Sequence, residues 1–539
     1  MSKRERKPID PAALSKLRSE LSAVRGKRRL DLILDQPDPA ALVRALPADD
    51  LYFTICEVGL GDAVELVQLA SPEQFRTFLD LECWSADHVV PRKALPWLRA
   101  ARSGFSDSPI TAARWKAKVA KLDVEFLDLV LRETLRVHDL EEDPDPDLES
   151  DRFMNTPEHK FIIEFLADGA EYMAVRGLVD DLYAENPFLA TRLLSSIRWE
   201  LPSELEETEL RWRTGRLADL GYPSMQEALS WFARPAAKPA APAGTPSRPA
   251  GFFLERIGTS SLLARAAALL APGERHHLEL ELVTAANAVL VADAVDPGDL
   301  DAVHAAVATG RAFVELGLAA AAGADDARAA EVLAATAVKA LFQRGFGRVL
   351  ELRWRAERLL ASGRAGTRTA PLLDPPLGEM LLALAGRRPR YFPGLETPRA
   401  EWGSLAAGAF EPRGFLAAAE VARTVEALGL AEALAELGEK LGVTATPREG
   451  PVEPRLATLY LTALANERLG RAFAPTPIDA TELLAAARAL EALDDPRLAA
   501  GGEAGRLLAG LARQKDEELA PIREGAHARP EHVSALLVK

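Results

Sequence analysis

The stretch DPAALVRALPADDL at residues 38–51 is matched 24 positions later by DAVELVQLASPEQF at residues 62–75. Apolar residues and the residues that begin helices take the same places in both copies, as Leu42 and Leu66 illustrate. Short helices that recur at such a period cannot bury their apolar faces alone, so neighbouring copies must stack. The repeat therefore predicts an α-solenoid, a superhelix of short helices.

Signals that begin helices recur along the chain. Ser71 stands at an N-cap position, Pro72 follows it, and Gln74 stands where a capping box requires Glu or Gln. Apolar residues follow such starts at helical spacing, and one pattern extends from Leu127 to Leu135. Because no convincing set of alternating strand patterns occurs, we predict an all-α protein. Further helix starts of the same kind are predicted at Asp38-Pro39, Thr156-Pro157-Glu158 and Pro202-Ser203-Glu204.

Composition divides the chain into predicted domains. RPAAKPAAPAGTPSRPA at 234–250 holds no large apolar side chain, so it neither buries area nor sustains a helix, and we predict a linker there. It separates a helical superhelix domain at 30–233 from an Ala-rich helical bundle domain at 251–539. Residues 1–29 form a predicted basic N-terminal arm and helix start. A further break is predicted at 141–151, where EEDPDPDLESD combines acids with prolines.

Charge restricts the classes of partner. The 539-residue chain has a formal net charge of −15 and a pI near 5.3, which repels nucleic acid and anionic membrane surfaces over most of the molecule. We therefore expect no nucleic-acid binding. The basic arm is interpreted as a solubilising tail, and contact with an acidic partner or RNA is the alternative for that arm.

Cysteine usage and hydropathy indicate the compartment. Cys56 and Cys83 are the only cysteines, they form no CxxC pair, and no signal peptide precedes them, so we interpret both as core residues in a reducing cytoplasm. No apolar run reaches the about 18 residues that a membrane span requires. The sequence thus predicts a cytoplasmic protein with no integral membrane association.

ELRWRTGRLA at 209–218 and ELRWRAERLL at 351–360 share seven residues in one register. A helical wheel places Leu210 and Leu217 on one side and Trp212 on the other, so we expect a helix sandwiched between layers. Three explanations of the likeness stay open: similar packing needs, an old duplication, and a surface of Arg and Trp that recognises a partner.

The first of these segments also belongs to the best candidate partner-binding surface, because Trp and Arg are favoured anchors at interfaces. For Trp199 and Trp212 burial in the core is the favoured alternative, whereas the arginines of 209–218 are expected to be exposed. The candidate partner-binding residues are Arg198, Trp199, Arg211, Trp212, Arg213 and Arg216.

No stretch carries a catalytic or cofactor signature, since GxxxxGK[ST], HExxH and GxSxG are all absent from the sequence. GFGRVL at 345–350 begins like a dinucleotide loop, but Leu350 stands where the third Gly belongs, so we interpret it as a helix irregularity. His276 and His277 point about 100° apart on a helix and cannot readily share a metal. We therefore assign no catalytic residue, no cofactor and no metal ligand.

The acidic segment at 141–151 resembles a calcium loop at its first alternating positions, but Leu148 stands where the invariant Gly belongs. We interpret it as a solvated linker and leave cation binding open. An enzyme with an unrecognised site between the two domains is the alternative to a non-enzyme. Its candidate residues are Asp180, Asp181, Arg192 and His159.

Four motifs resemble those of an uncharacterised family of bacterial proteins, a domain of unknown function: DPAALVRALPADDLYFTICEVG, FRTFLDLECW, IRWELPSELEETELRWRTGRLADLGYP and RYFPGLETP. The resemblance runs from about residue 28 to the end, and it implies no activity. More distantly, residues 30–100 resemble the short-helix superhelix in the cytosolic part of magnesium-channel transporters and in the flagellar rotor switch protein. That resemblance implies packing and regulation, with a divalent-cation-responsive module as a further alternative.

Stacked helical repeats present extended surfaces, which more often bind partners than perform chemistry. The sequence therefore predicts a cytoplasmic protein-interaction scaffold or regulatory protein without catalytic activity of its own. The identity of its protein partners and its oligomeric state stay unknown.

Overall fold

The computed structural model describes residues 17, 20–21, 24–105, 108–233, 261–367, 371–406, 408–444, 454–491, 493–525 and 533–539. Within these residues α-helices dominate and strands are confined to two small sheets, so the predicted all-α class is confirmed. Most of the predicted basic arm and the whole of the predicted linker lie outside the described residues.

Helices in the first part of the chain are mostly short. In chain order they are α1 (Lys27–Leu34), α2 (Pro39–Ala45), α3 (Ala48–Val58), α4 (Val64–Leu69), α5 (Pro72–Glu82), α6 (Pro91–Arg102), α7 (Pro109–Val119), α8 (Val124–Arg132), α9 (Gly169–Glu185), α10 (Pro187–Trp199), α11 (Pro202–Asp219) and α12 (Met225–Trp231).

Several longer helices follow in the second part. They comprise α13 (Leu262–Ala268), α14 (Pro272–Ala292), α15 (Leu300–Ala322), α16 (Asp326–Ala335), α17 (Val338–Ala361), α18 (Leu377–Ala385), α19 (Ala418–Lys440), α20 (Leu456–Arg468), α21 (Leu483–Ala489), α22 (Pro496–Ala500), α23 (Gly502–Glu517) and α24 (Ala520–Arg523). Short 3₁₀ helices lie at Pro393–Glu396, Arg399–Ser404 and Ala480–Glu482.

The repeated sequence forms two similar helix pairs, α2 with α3 and α4 with α5, and the second helix of each pair has 11 residues. Asp38 caps α2 by accepting the Ala41 N–H at 3.0 Å. Ser71 accepts the Gln74 N–H at 3.1 Å, and the Gln74 side chain accepts the Ser71 N–H at 2.8 Å. The predicted capping box is confirmed, whereas the stacking of such pairs into a solenoid stays a prediction.

Two small sheets interrupt the helices, and the sequence patterns did not indicate them. β1 (Trp84–Ser85) pairs antiparallel with β2 (His88–Val89). The second sheet has the order β3 (Leu135–Asp139), β5 (Phe161–Phe165), β4 (Phe153–Asn155), with all neighbours antiparallel. The acidic segment at 141–151 connects β3 to β4 without helix or strand, as predicted.

Two predictions of helical structure beside this sheet are wrong. The helical pattern predicted from Leu127 to Leu135 does not continue to its end, because α8 ends at Arg132. Leu135 is instead the first residue of β3, which pairs with β5. The Thr156-Pro157-Glu158 segment is a turn rather than a helix start. The Thr156 hydroxyl accepts the Phe161 N–H at 3.1 Å and closes the turn between β4 and β5.

Contacts divide the chain into two compact units. Among the described residues, the first comprises 24–233, 261–311 and 325–339, and the second comprises 312–324 and residues from 340 onwards. The predicted domain ranges stay a prediction.

Aromatic side chains mark the core of each unit. In the first unit Trp97 stacks on Tyr52, with ring centroids 5.6 Å apart, and Phe78 lies 5.5 Å from Trp97. In the second unit Phe313 meets Phe342 edge-on at 5.2 Å. Ring pairs at these separations contribute about 0.5–1.5 kcal/mol each beyond the burial of their area.

Two glycines bring α15 and α17 into close contact within the second unit. A Cβ on Gly317 would lie 1.9 Å from the Leu341 carbonyl oxygen, and one on Gly345 would lie 1.9 Å from the Phe313 carbonyl oxygen. The GFGRVL segment that contains Gly345 lies inside the continuous helix α17. It is therefore a close packing contact, and its interpretation as a helix irregularity is wrong.

In the described part of the chain, α15 alone is long and apolar enough to cross a membrane by length and composition. Half of its most apolar window is buried inside the protein. A single helix of this kind is weak support for membrane association.

Candidate functional site

The predicted partner-binding residues separate into an outward and an inward group. Trp199 is 66% exposed and Trp212 is 41% exposed, so their expected burial in the core is wrong. Arg211 is exposed beside Glu207, as predicted. Arg198 bonds Glu142, and its guanidinium lies 5.2 Å from the Trp199 ring centroid.

Trp354, the counterpart of Trp212 in ELRWRAERLL, is 45% exposed, while Leu352 and Leu359 on the same helix are buried. Both ELRWR helices therefore bury a leucine and expose the tryptophan. The expected sandwiching of these helices is wrong: α11 packs on α8 and α5, whereas Trp212 faces away from the core.

The inward group consists of Arg213 and Arg216, whose expected exposure is wrong. Arg216 donates to both carboxylate oxygens of Asp80 at 2.7 and 2.9 Å. It also bonds Asp123 at 2.9 Å and Glu209 at 2.6 Å. Arg213 donates to the Asp80 carbonyl at 2.7 Å and is mostly buried, which lowers its pKa to about 10.

Arg216 belongs to a buried ionic cluster, which we define as Arg76, Asp80, Asp123, Glu209 and Arg216. Arg76 bonds Asp123 at 2.6 Å and also bonds Glu209, which is wholly buried. Burial raises the pKa of Glu209 to about 7, although the two arginines favour its ionised form. The remaining carboxylate oxygen of Glu209 and two Arg76 nitrogens find no hydrogen-bond partner among the residues that the structure describes.

The ionic cluster joins three helices, since Asp80 lies on α5, Asp123 precedes α8, and Glu209 and Arg216 lie on α11. A complete buried ion pair adds little net stability, but the loss of one partner costs about 3–5 kcal/mol because a charge stays buried without compensation. The cluster therefore fixes the orientation of α11, and this orientation exposes Trp212.

The candidate residues of an enzyme are not assembled into a site. Asp181 accepts from Arg102 at 2.6 Å and from the Trp115 indole at 2.7 Å. Asp180 pairs with Arg176 one turn away on α9. His159 and Arg192 are exposed, and no hydrogen bond or ion pair joins any two of the four candidates in the described chain.

The described residues also form no ready metal-binding site. Within the residues that the structure describes, no group of three or more His, Cys, Asp or Glu side chains is placed to hold a metal ion. In the acidic segment the Asp143 carboxylate accepts the Asp145 N–H at 3.3 Å, which is a turn contact. His277 lies 3.8 Å from Glu281 on the same helix.

A cavity of about 440 Å³ opens in the first unit between α3, α6 and the segment around Gly298, and we call it the Glu82 cavity. Cys56 lines it and is partly buried, whereas Cys83 is wholly buried as predicted. Burial raises the pKa of the Cys56 thiol to about 12, and a protonated thiol is not a nucleophile.

The model of a protein family described as "Family of unknown function (DUF6178)" matches residues 7–538. The chain belongs to this family. Membership covers nearly the whole sequence, and it confirms the resemblance to an uncharacterised family. No curated protein and no solved structure matches the chain.

Sequence reasoning missed the buried members of the ionic cluster in this DUF6178 protein. A signal was present, because Arg76 and Asp80 are charges on α5 between Phe75, Phe78 and Leu81, where a buried helix carries apolar residues. Charged residues are almost never fully buried unless they are paired. Charged residues among the apolar residues of a buried helix therefore predict a buried ion pair, but they do not indicate which helix carries the partner.

Proposed function

We propose that this protein is a protein-interaction scaffold that binds its partner through the tryptophan surface, defined as Arg198, Trp199, Leu201, Arg211 and Trp212. The exposure of two indoles on consecutive helices carries the proposal. Truncation of a Trp or Arg anchor at the centre of an interface typically costs at least about 2 kcal/mol of binding free energy.

A further exposed apolar side chain adjoins the two indoles. Leu201 is 59% exposed and lies in the short connection between Trp199 and the first residue of α11, Pro202. Leu205, in the first turn of α11, is buried, so Leu201 and Trp212 are separate exposed apolar groups. A partner with two apolar pockets fits this arrangement.

The charges around the tryptophan surface indicate the rim of the partner. Arg211 pairs with Glu207 at 3.7 Å where both side chains are largely exposed, so the pair holds little energy and an acidic partner readily replaces Glu207. Arg213 and Arg216 are held inward by Asp80 and are therefore excluded from the proposed contact. We infer a partner with an apolar centre and acidic residues at its rim.

The test compares partner recovery by tagged wild-type protein and variants expressed in the native host, measured by quantitative mass spectrometry. Trp199→Ala/Trp212→Ala should lose a specific partner at least about tenfold, which is about 1.4 kcal/mol. Trp354→Ala is the matched control, because that indole is similarly exposed in the second ELRWR segment.

Melting temperatures of both variants should stay close to that of the wild type, because neither change removes a core side chain. Equal recovery of every partner by the wild type and the Trp199/Trp212 variant would exclude this surface. Loss of the partner in the Trp354→Ala variant alone would move the interface to the second unit.

A cytoplasmic location stays part of the proposal and rests on the sequence and on two cysteines that form no disulfide. The two alternatives, an enzyme with a site between the two domains and a divalent-cation-responsive module like that of magnesium-channel transporters, also stay predictions. No contact of the described residues favours either alternative.

A further inference from the structure

The Glu82 cavity has the size of a small-molecule site and is independent of the tryptophan surface. Its volume of about 440 Å³ lies within the range of about 300–1,000 Å³ that is typical of ligand pockets. Every lining residue belongs to the first unit. Cavities of this kind combine an apolar wall with a few polar groups that fix the orientation of the ligand.

The apolar wall is rigid. Trp97 lines the cavity and is only 3% exposed, because it stacks on Tyr52 and packs against Phe78. Leu60, which is partly buried, and Pro96, which is exposed, also line the cavity. An indole wall with neighbouring aliphatic side chains favours a ligand with a large apolar or aromatic body.

Glu82 is the acidic group of the cavity. The Tyr52 hydroxyl donates to its Oε2 at 2.7 Å, and Tyr52 is wholly buried, so the carboxylate is held in place. Burial and the neighbouring Cys56 and Glu82 raise the pKa of Tyr52 well above its usual range, so the phenol remains a donor. Oε1 accepts no hydrogen bond from the residues that the structure describes. One carboxylate oxygen thus remains for a ligand donor.

Arg92 is the available basic group. Lys93 also lines the cavity, but its ammonium already bonds the Asp296 carboxylate at 2.6 Å. Arg92 is exposed at the cavity and forms no ion pair with the described part of the chain. A guanidinium binds a carboxylate in a two-pronged geometry that an ammonium cannot provide.

We infer that the Glu82 cavity binds a free amino acid with a large apolar side chain. The ligand's ammonium donates to Glu82, its carboxylate accepts from Arg92, and its side chain packs on the wall of Leu60, Pro96 and Trp97. A simple anion fits less well because Glu82 repels it, and a metal ion fits less well because the described residues place no group of three or more metal-ligating side chains there. Binding is reversible, since the chemistry requires only hydrogen bonds, an ion pair and apolar contact.

Calorimetric titration of the full-length protein with L-phenylalanine, L-tryptophan and L-leucine tests the inference. At least one should bind. Phenethylamine lacks the carboxylate and 3-phenylpropionate lacks the ammonium, so each should bind at least about tenfold more weakly than phenylalanine. Absence of heat from all three amino acids would overturn the inference, as would binding of phenethylamine as tight as that of phenylalanine.

Variants locate the site. Glu82→Gln keeps an acceptor for Tyr52 but loses the charge, and Arg92→Gln removes the guanidinium, so each should weaken binding at least about tenfold. Arg99→Gln, an exposed arginine two turns further along α6, is the matched control and should bind like the wild type.

Gly298→Leu should abolish binding, because a Cβ at this position already lies 3.4 Å from the Glu82 carboxylate and the larger side chain fills the cavity. Melting curves establish that each variant is folded. Unchanged binding by both folded Gly298→Leu and Arg92→Gln would place the amino acid elsewhere and overturn the assignment.

Discussion

Glu209 shows how a single buried carboxyl group can make the stability of this protein depend on pH. It has no exposed surface, and burial raises its pKa to about 7 from the ordinary value of 4.5. The native state therefore binds this proton more tightly than the unfolded state. Ionisation destabilises the native state, so the free energy of unfolding falls as the pH rises from about 4.5 and levels off above about 7.

We predict that Glu209→Gln removes this dependence. Between about pH 5 and about pH 8 the free energy of unfolding of the wild type should fall by roughly 1–3 kcal/mol relative to that of the variant. Urea unfolding at several pH values measures the difference. Glu207→Gln is the control, since Glu207 lies on the same helix and is largely exposed. Parallel pH profiles of the wild type and Glu209→Gln would show that the arginines keep Glu209 ionised throughout.

Residue identity alone did not predict which arginines are exposed. Arg211 and Arg216 stand five positions apart in one segment, yet Arg216 bonds Asp80, which is 136 positions away. The ionic cluster joins residues from separate parts of the chain that meet only where α5, α8 and α11 pack together, and no local pattern carries that information. Trp212 is exposed for the same reason, because the cluster determines which side of α11 faces the core.

At the scale of elements, helix starts were predictable where a local hydrogen bond decides them. The side chains of Ser71 and Gln74 each accept a hydrogen bond from the backbone N–H of the other residue. Both bonds lie within four residues, so the spacing of the two residues identifies the helix start. Thr156 carries a similar signal but bonds the Phe161 N–H across a turn. Strand β3 has only five residues and adjoins an apolar helix, so its pairing with β5 outweighed the helical spacing of Leu135.

The close contact between α15 and α17 provides a prediction at the same scale. Gly345→Ala places a methyl group against the Phe313 carbonyl at 1.9 Å, so the two helices must separate. We expect the free energy of unfolding to fall by about 1–3 kcal/mol, as in other overpacked cores.

Gly347→Ala is the matched control, because it lies two residues further along the same helix and a Cβ there meets nothing within 4 Å. Alanine favours a helix interior by about 1 kcal/mol over glycine, so this variant should be at least as stable as the wild type. Thermal unfolding of both variants gives the comparison. Equal destabilisation by the two changes would show that helix propensity, rather than the contact, explains the glycines.

For the whole molecule, helix-start signals and helical spacing predicted the all-α class, and the resemblance of four motifs indicated the family, but no sequence pattern predicted the Glu82 cavity. Cys56 and Gly298 line that cavity from places far apart in the chain. Periodicity describes each helix separately, and it does not determine which helices enclose a space. The predicted catalytic candidates illustrate this limit, since Asp181 is already bound by Arg102 and Trp115.

Contacts across the predicted linker lead to a prediction about the intact chain. Helix α12 precedes residues 234–250 and packs on α14, which follows them. Lys339 donates to the Ser230 hydroxyl at 2.7 Å, and Asn287 donates to the Gly221 carbonyl at 3.1 Å. These contacts lie within the first unit and do not depend on an intact linker.

Limited proteolysis should therefore cut first between Arg234 and Arg248, where the composition neither buries area nor sustains a helix, without releasing two separate bodies. The cut protein should elute from a native sizing column in one peak, and the same fraction should give two bands on a denaturing gel. A digest dissociated in urea supplies the elution positions of the separate fragments. Two native peaks at those positions would show that α12 and α14 do not hold the fragments together, and a first cut elsewhere would contradict the predicted linker.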